Sequence, residues 1–297
     1  MSQSFERAKS RLANIQAIQP LLSALRTMSM GSWQMANKKI ALLKEYEQTM
    51  DHILSEILPN LSQKTSQRDE QSKSSQNGTD TIYLIIGSER GLCGKFNISL
   101  AEKALDFIHH EEAKTYQIWA MGSRLIRELE RLDVHISWRH SLPASGLTSY
   151  QEAYISTQNW LELYESYSFN KFVLVYNQLT RGAAYQFTHN QLLPFEFNFA
   201  TIQTKGDEEH WPPPIIETAP KGIYNQIIQH LIAADFYQTL LKSAAAEHSA
   251  RYHLMQEASE NAEEIVEELT RVINAERKRK ITQEMQELAV SAGLLGQ

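Results

Sequence analysis

The chain has 297 residues and a formal net charge of −6 at pH 7, from 29 Lys and Arg against 35 Asp and Glu. This balance gives no overall basic field of the kind that holds nucleic acid. The single cysteine excludes an intramolecular disulfide and a cysteine-based zinc site.

The apolar runs are far shorter than the roughly 20 residues that cross a bilayer. We therefore expect no direct membrane span. The first residues also lack the charged and apolar regions of a signal peptide, so none is expected.

Residues 1–58 are predicted to form a long N-terminal helix. Apolar residues recur there every three or four positions, which places them on one face. A proline inside a helix costs ~3 kcal/mol and usually kinks it, so we expect a bend or a local break near Pro20. The predicted inward face is Leu12, Ile15, Ile18, Leu22, Leu25, Met28, Ala36, Ile40, Leu43, Tyr46, Met50, Ile53 and Ile57.

Three segments follow the first helix. Residues 59–80 are rich in Ser and Gln and poor in large apolar side chains, which predicts a flexible linker. Residues 81–205 alternate short β-branched or aromatic runs with helical stretches, which predicts a partly parallel, Rossmann-like α/β domain. The run AAYQFTHNQLLPFEF is a candidate for a further strand or hairpin, and 206–220 is predicted to be a loop.

Residues 221–297 are predicted to form a second long helix. The stretch Ile223 to Ala292 has neither Gly nor Pro, and as a helix it would extend ~105 Å at ~1.5 Å per residue. A compact chain of this size has a radius of gyration of only ~19 Å, so the helix must project from the globular part. Its predicted inward stripe is Leu241, Ala245, His248, Tyr252, Met255, Ala258, Ala262, Ile265, Leu269 and Val272.

Two projecting apolar stripes of comparable length are best buried against each other. The predicted fold is thus an α/β domain inserted between two long terminal helices that form an antiparallel coiled coil. Exposed three-helix packing or packing between molecules is the alternative.

The C-terminal end of the second helix carries a cationic cluster, Glu276-Arg277-Lys278-Arg279-Lys280. A charge run is most often a solvated helix face. Here the helix is expected to extend beyond the first one, so the apolar residues that follow have no partner in this chain. An unpartnered apolar stripe beside charges predicts insertion into another protein. That stripe is Ile281, Met285, Leu288, Ala292 and Leu295.

The loop GSERGLCGKFN, residues 87–97, holds three glycines and Cys93. It is not a Walker A loop, because Gly94-Lys95 is followed by Phe96 rather than Ser or Thr. It lacks the GxGxxG spacing as well. A weak anion-binding site at a helix N-terminus is kept as an alternative.

No histidine stands out as a base for Cys93, so a small residue in a tight turn is the preferred interpretation over a thiol nucleophile. His248 and His253 lack the i,i+4 spacing of a metal pair on one helix face. We expect no metal site and no cofactor.

Three segments resemble the gamma subunit of F-type ATP synthases, the central rotor stalk. The loop SERGLCGKFN is similar to that family's Ser-[Thr/Asp]-x-Arg-Gly-Leu-Cys-Gly-Gly-x-Asn. A looser match begins at Arg11-Leu12 and runs to Ala24-Leu25. The C-terminal match, very close to the family signature, comprises Glu247, Ser249, Arg251, Met255, Ala258, Asn261, Ala262, Leu269, Asn274, Arg277, Ile281, Thr282, Gln283, Glu284, Glu287 and Leu288.

The resemblance implies a rotor shaft without an active site. Its coiled coil fills the hollow of the alpha/beta hexamer, and its α/β foot docks with the epsilon subunit on the membrane c-subunit ring. The protein is then peripheral, on the cytoplasmic face of the bacterial cell membrane, and it couples ion flow to conformational change in the catalytic beta subunits.

The resemblance also implies contact residues. Arg277, Thr282, Gln283 and Glu284 belong to the band that meets the beta catch loop, and Leu25 and Arg26 face the same level from the first helix. The foot loop Arg90, Gly91, Leu92, Cys93 and Gly94 lies near a beta subunit.

Two departures from the family pattern indicate a divergent branch, such as an alternate rotary ATPase. Gln19 to Leu25 replaces the family's Lys-rich segment, and Lys95 stands at the second glycine of GLCGG. Two other classes remain as alternatives. One is a coiled-coil adaptor with a Rossmann-like domain, and the other is a cysteine-dependent Rossmann-like enzyme.

Overall fold

The computed structural model describes residues 3–57, 79–111, 113, 115–143, 147–180, 184–195 and 216–291. The chain forms two compact units: Met1–Ser29 with Arg251–Gln297, and Met30–Ala250. Most of the predicted linker and most of the predicted 206–220 loop lie outside the described residues. The proposed domain boundaries therefore stay predictions.

The described elements comprise two very long helices and, between them, five strands and three shorter helices. In chain order they are α1 (Gln3–Ile57), β1 (Thr79–Ile86), α2 (Phe96–His110), β2 (Tyr116–Met121), α3 (Ser123–Arg131), β3 (Trp138–His140), α4 (Tyr150–Glu165), β4 (Phe169–Leu179), β5 (Tyr185–Leu193) and α5 (Pro220–Ser291).

Helix α1 continues through Pro20 and Gly31, which excludes a local break near Pro20, and the bend expected there as the other outcome stays a prediction. Helix α5 begins at Pro220. Proline is well placed there, because the amide hydrogen that it lacks has no partner in the first turn of a helix.

The five strands form one sheet in the order β3-β2-β1-β4-β5. The pairs β1–β2, β1–β4 and β2–β3 are parallel, while β5 runs antiparallel to β4. The predicted partly parallel α/β domain is confirmed, and the run around 184–195 supplies the further strand.

Alternate residues of the central strands enter two separate cores. On one face Tyr83 and Ile85 pack with residues of α2 and α3. On the other face Leu84 and Ile86 pack with Trp160 of α4 and with buried residues of α1 and α5. Both faces of β1 are therefore buried, as expected for a central parallel strand.

Within the second unit, α1 and α5 run antiparallel. Gln238 Nε2 lies 3.3 Å from Glu47 Oε1. Further along α1, Leu54 and Ile57 pack with residues that come earlier in α5, Ile227 and Leu231.

One series of buried or half-buried residues in α1 has spacings that alternate between four and three, the 3.5-residue period of a coiled coil. Three residues predicted to face inward are instead exposed: Ile18 (49%), Met28 (61%) and Ile53 (36%). That series is Ala8, Leu12, Ile15, Gln19, Leu22, Arg26, Ser29, Trp33, Ala36, Ile40, Leu43, Glu47, Met50, Leu54 and Ile57. Nine further residues of α1 are half-buried beside it: Phe5, Leu25, Met30, Ser32, Lys39, Tyr46, Asp51, Ser55 and Glu56.

A similar shift occurs in α5. Val272, predicted to face inward, is 45% exposed, whereas its neighbour Ile273 is 8% exposed. At Ile53 and Leu54, and at Val272 and Ile273, the apolar pattern alone was ambiguous because both adjacent residues are apolar. Tertiary packing selects one of them.

Candidate functional site

The glycine loop connects β1 to α2 and is closed by two buried side chains. Ser88 donates its backbone N–H to Asn97 Oδ1 at 3.0 Å, and Asn97 Nδ2 donates to Ser88 Oγ at 2.8 Å. Ser88 Oγ in turn donates to the carbonyl oxygen of Arg90 at 2.7 Å. These bonds satisfy polar groups that the fold removes from water.

Cys93 belongs to the same hydrogen-bonded group. Its Sγ lies 3.7 Å from Ser88 Oγ and 3.7 Å from Asn97 Nδ2. The side chain is buried and packs with Phe96 and Ala246. This environment favours the tight-turn interpretation of Cys93, because a buried thiol among neutral groups is shielded from substrates.

The turn itself needs backbone conformations with positive φ. Leu92 has φ 63° and Gly94 has φ 60°. Glycine adopts this conformation freely, whereas a leucine there is uncommon. Leu92 is also 57% exposed, so an apolar side chain is held at the surface by the loop geometry.

Glu89 ties the loop to the next helix, a role that the sequence analysis missed. Its carboxylate accepts the backbone N–H of Ser123 at 3.0 Å and that of Leu142 at 2.8 Å. A carboxylate at the first turn of α3 interacts favourably with the helix dipole. Burial raises the pKa of Glu89, but the hydrogen bonds from Ser123 and Leu142 outweigh it and lower the pKa below its ordinary value.

Helix α5 covers the carboxyl ends of β1 and β4. In open α/β sheets a ligand usually binds there, where the chain reverses its direction across the sheet. Here Ser243 Oγ donates to the carbonyl oxygen of Ile86 at 3.2 Å. Ala246 packs on Cys93 and Phe96, with Leu179, Tyr185 and Ala250 around them.

The polar residues of the C-terminal signature begin immediately after this contact. Glu247 and Ser249 are buried, as is Arg251. Charged side chains are rarely buried without partners, and Glu247 and Arg251 both take part in further interactions. The signature here thus marks buried structure.

In the first unit, Arg26 is held by α5. Its Nη1 donates to Gln256 Oε1 at 2.7 Å. The carbonyl of Leu25 accepts from Ser29 Oγ at 2.7 Å. Gln256 precedes Arg277 by about 30 Å along the helix at ~1.5 Å per residue. The expectation that Arg26 faces the same level as Arg277 is therefore wrong.

The end of α5 is solvated in this structure. Residues 277–288 are all exposed, including Ile281 (49%), Met285 (67%) and Leu288 (68%). The predicted apolar stripe is thus exposed over its described part, while Ala292 and Leu295 lie outside the described residues.

The charged residues of this segment differ in their partners. Arg279 pairs with Glu276 at 3.0 Å, and Lys280 pairs with Glu284 at 3.6 Å. No ion pair of Arg277 is found among the described residues. Thr282 Oγ1 donates to the carbonyl of Lys278 at 3.0 Å, and Gln283 Nε2 donates to Glu287 Oε1 at 3.0 Å.

The described part of the chain has neither a membrane-spanning helix nor a cluster of metal-binding side chains. It contains no helix with both the length and the apolar character needed to span a bilayer. Nor does it bring 3 or more His, Cys, Asp or Glu side chains together in a way that would hold a metal ion.

Comparison with known proteins identifies the family. A family model described as ATP synthase matches residues 4–294. The chain belongs to this family. The ATP synthase gamma chain of Trichlorobacter lovleyi is 24% identical over 291 residues, covering 97% of this chain and 98% of the relative. That of Brucella anthropi is 26% identical over 302 residues, covering 98% and 99%. The predicted resemblance to the gamma subunit is confirmed.

Solved structures share the fold. The Euglena gracilis mitochondrial ATP synthase, in a structure of OSCP, F1 and c-ring, contains a chain with a TM-score of 0.59 at 13% identity, covering 99% of this chain and 95% of that one. A chain of the central stalk and c-ring of the Tetrahymena thermophila mitochondrial ATP synthase gives 0.54 at 17% identity, covering 80% and 99%. The α/β domain between two long helices is thus the fold of these chains.

Proposed function

We propose that the chain is the rotor shaft of an F-type ATP synthase and couples ion flow through the membrane ring to conformational change in the catalytic beta subunits. The observation that carries the proposal is the solvated end of α5, in a chain that matches the family model over 4–294. An exposed face of charged and apolar side chains at the end of a long helix fits insertion into a surrounding assembly.

The coupling acts through differential contacts. A shaft without three-fold symmetry presents a different surface to each of three beta subunits, and so favours a different conformation in each. We assign the hexamer contacts to two levels of the shaft. They are Leu25 and Arg26 at one level, and Arg277, Thr282, Gln283 and Glu284 at the other.

The chain itself is proposed to be non-catalytic. The crevice at the ends of β1 and β4 is covered by α5, and the Ser88 and Asn97 side chains are used within the loop. Little of the loop is left for substrate except its exposed rim. We assign that rim, which consists of Arg90, Gly91, Leu92 and Gly94 with the buried Cys93 beneath them, to a surface near a beta subunit.

The proposed partners are the alpha and beta subunits, the epsilon subunit and the membrane c-subunit ring. The two solved structures described above come from complexes whose named parts include a c-ring. We place the chain at the cytoplasmic face of the bacterial cell membrane, as a peripheral part of the complex.

Reconstitution tests the proposal. The full chain, mixed with alpha and beta subunits, is expected to co-purify with them and to be required for coupled ATPase activity. Hydrolysis of ATP by the chain alone, abolished by Lys95→Ala, would show that it is an enzyme. Failure to associate with alpha and beta would contradict the rotor assignment.

A further inference from the structure

The second unit has an open groove on its surface, lined by none of the residues of the glycine loop. Its volume is about 250 Å³. Three helices line it: α1 with Lys39, Leu42, Leu43 and Tyr46, α4 with Tyr150, and α5 with Tyr237.

The aromatic walls of the groove are fixed by contacts with each other. The Tyr46 and Tyr150 rings meet edge to face at 6.2 Å, and the Tyr150 and Tyr237 rings do so at 5.6 Å. Tyr150 Oη also lies 3.2 Å from Nδ1 of His230. Rings held in this way form a preformed apolar surface, which lowers the entropy cost of binding a small molecule.

One cation lines this apolar groove. No ion pair of Lys39 is found in the described part of the chain. Its helical neighbours three and four residues away offer no carboxylate, since they are Met35, Ala36, Leu42 and Leu43. A lysine can cover apolar surface with its aliphatic stem and keep its ammonium in water. The ammonium of Lys39 is then available to pair with a ligand.

Leu42 adds to the same surface. It is 55% exposed, although it lies between the half-buried Lys39 and the buried Leu43. A large apolar side chain at the rim gives a ligand apolar area to cover. The groove therefore combines aromatic walls, an aliphatic rim and one cation.

We propose that this groove binds a small amphiphilic carboxylate, with an aromatic or aliphatic body against the tyrosines and the carboxylate at Lys39. The carboxylate end follows from charge complementarity with Lys39, and the apolar body follows from the other five residues. This site does not depend on the rotor assignment.

A pair of probes separates the two parts of the ligand. 4-Phenylbutyrate has an aromatic body and a carboxylate, and 4-phenylbutyramide is its neutral counterpart. Binding to the full chain is measured by calorimetry and by saturation-transfer NMR. We expect one site for the carboxylate and about tenfold weaker binding of the amide, since hydrogen bonds to charged groups contribute roughly that factor.

Two matched variants test the residues. Lys39→Met is expected to weaken binding of the carboxylate about tenfold and to remove its advantage over the amide. Lys38→Met is the control, because Lys38 is exposed and does not line the groove. Leu42→Gln should weaken both probes, while Ile155→Gln, an exposed apolar residue on α4, should leave both unchanged.

Three results would overturn the proposal: no saturable binding, equal binding of acid and amide, or equal effects of the two lysine variants. The titration is repeated on the chain assembled with alpha and beta subunits. Loss of binding there would show that a partner protein covers the groove, which would replace the small-molecule assignment with a subunit contact.

Discussion

At the scale of single residues, buried polar groups explain why the glycine loop has its sequence. Asn97 is 4% exposed and bonds to both the backbone and the side chain of Ser88. The thiol of Cys93 only adds longer contacts to the same pair. Asn97, rather than the conspicuous cysteine, is therefore expected to determine the stability of the loop.

The prediction compares two truncations. Asn97→Ala leaves the buried Ser88 N–H without its acceptor, which costs about 1–3 kcal/mol, in addition to the lost packing. Cys93→Ala removes only one sulfur atom and is expected to cost about 1 kcal/mol. Urea unfolding of the full chain measures both, with Asn37→Ala on the exposed face of α1 as control. A larger loss for Cys93→Ala would contradict this ranking.

Two half-buried carboxyl groups, Asp235 and Glu47, are expected to make the stability depend on pH. The Asp235 carboxylate in α5 accepts a hydrogen bond from Asn190 Nδ2 at 2.9 Å. Burial raises its pKa above the ordinary value of 3.8, although Asn190 and Lys242 act in the opposite direction. Burial also raises the pKa of Glu47, and the nearby Asp235 adds to that shift.

The sign of the effect follows from linkage. A carboxyl whose pKa is higher in the folded state contributes stability that is fully present below pH 3.8, its ordinary pKa, and is lost as the pH rises through the folded-state pKa. Asp235→Asn is therefore expected to flatten the fall in the free energy of unfolding as the pH rises above about 4. Asp106→Asn, at an exposed position of α2, is the control. Parallel curves for wild type and Asp235→Asn would contradict the assignment.

At the scale of elements, two glycines illustrate opposite reasons for having no side chain. Gly122 joins β2 to α3 with φ 101°, and a Cβ there would lie 2.7 Å from the carbonyl oxygen of Ser88. This oxygen belongs to the backbone, so it cannot rotate away as a flexible side chain could. Gly31, inside α1, has nothing within 4 Å of such a Cβ.

Alanine at the two sites is expected to act in opposite directions. Gly122→Ala should lower the free energy of unfolding by about 3 kcal/mol through the clash and the positive φ. Gly31→Ala should raise it by about 0.5–1 kcal/mol, because alanine restricts the unfolded chain and favours helix. Chemical unfolding of both variants measures this. A destabilising Gly31→Ala would indicate a contact at that face in the protein in solution.

The helices and strands were the part of the fold that could best be predicted from the sequence. The long helices and the parallel strands have strong periodic patterns, and scarce glycine and proline predicted long elements. It was harder to predict from the sequence which individual residues face the core. Where Ile53 and Leu54 are adjacent, or Val272 and Ile273, only the partner helix decides which one is buried.

The candidate site could be predicted from the sequence only in part. The glycine loop and the cationic cluster were evident from their residues. Glu89 was not, because its partners Ser123 and Leu142 are distant in sequence and meet it only through the parallel sheet. The level of Arg26 on the shaft was also mispredicted, since it depends on the register of two helices rather than on either pattern alone.

At the scale of the whole molecule, α5 passes through different environments. Its residues between 231 and 249 are almost all buried. Its residues between 277 and 288 are all exposed. Within one helix, the sequence thus changes from a core element to a surface that this chain does not cover in the part that the structure describes.

The last prediction concerns that surface and tests the proposed hexamer contact. Arg279 is already paired with Glu276 at 3.0 Å, whereas no described residue forms an ion pair with Arg277. A guanidinium that no described residue pairs with is available to a carboxylate of another subunit, which it holds through two parallel hydrogen bonds. Losing one partner of such a pair in a buried interface costs about 2–5 kcal/mol.

Arg277→Ala is therefore expected to reduce the yield of the complex with alpha and beta subunits, or its coupled ATPase rate, while the isolated chain stays folded. Arg279→Ala should have little effect on either, because it removes only an exposed pair within the helix, worth about 0–1 kcal/mol. Circular dichroism of both variants controls for folding. Equal effects of the two substitutions would mean that the cluster acts through its total charge, and no effect of Arg277→Ala would remove this residue from the proposed contact.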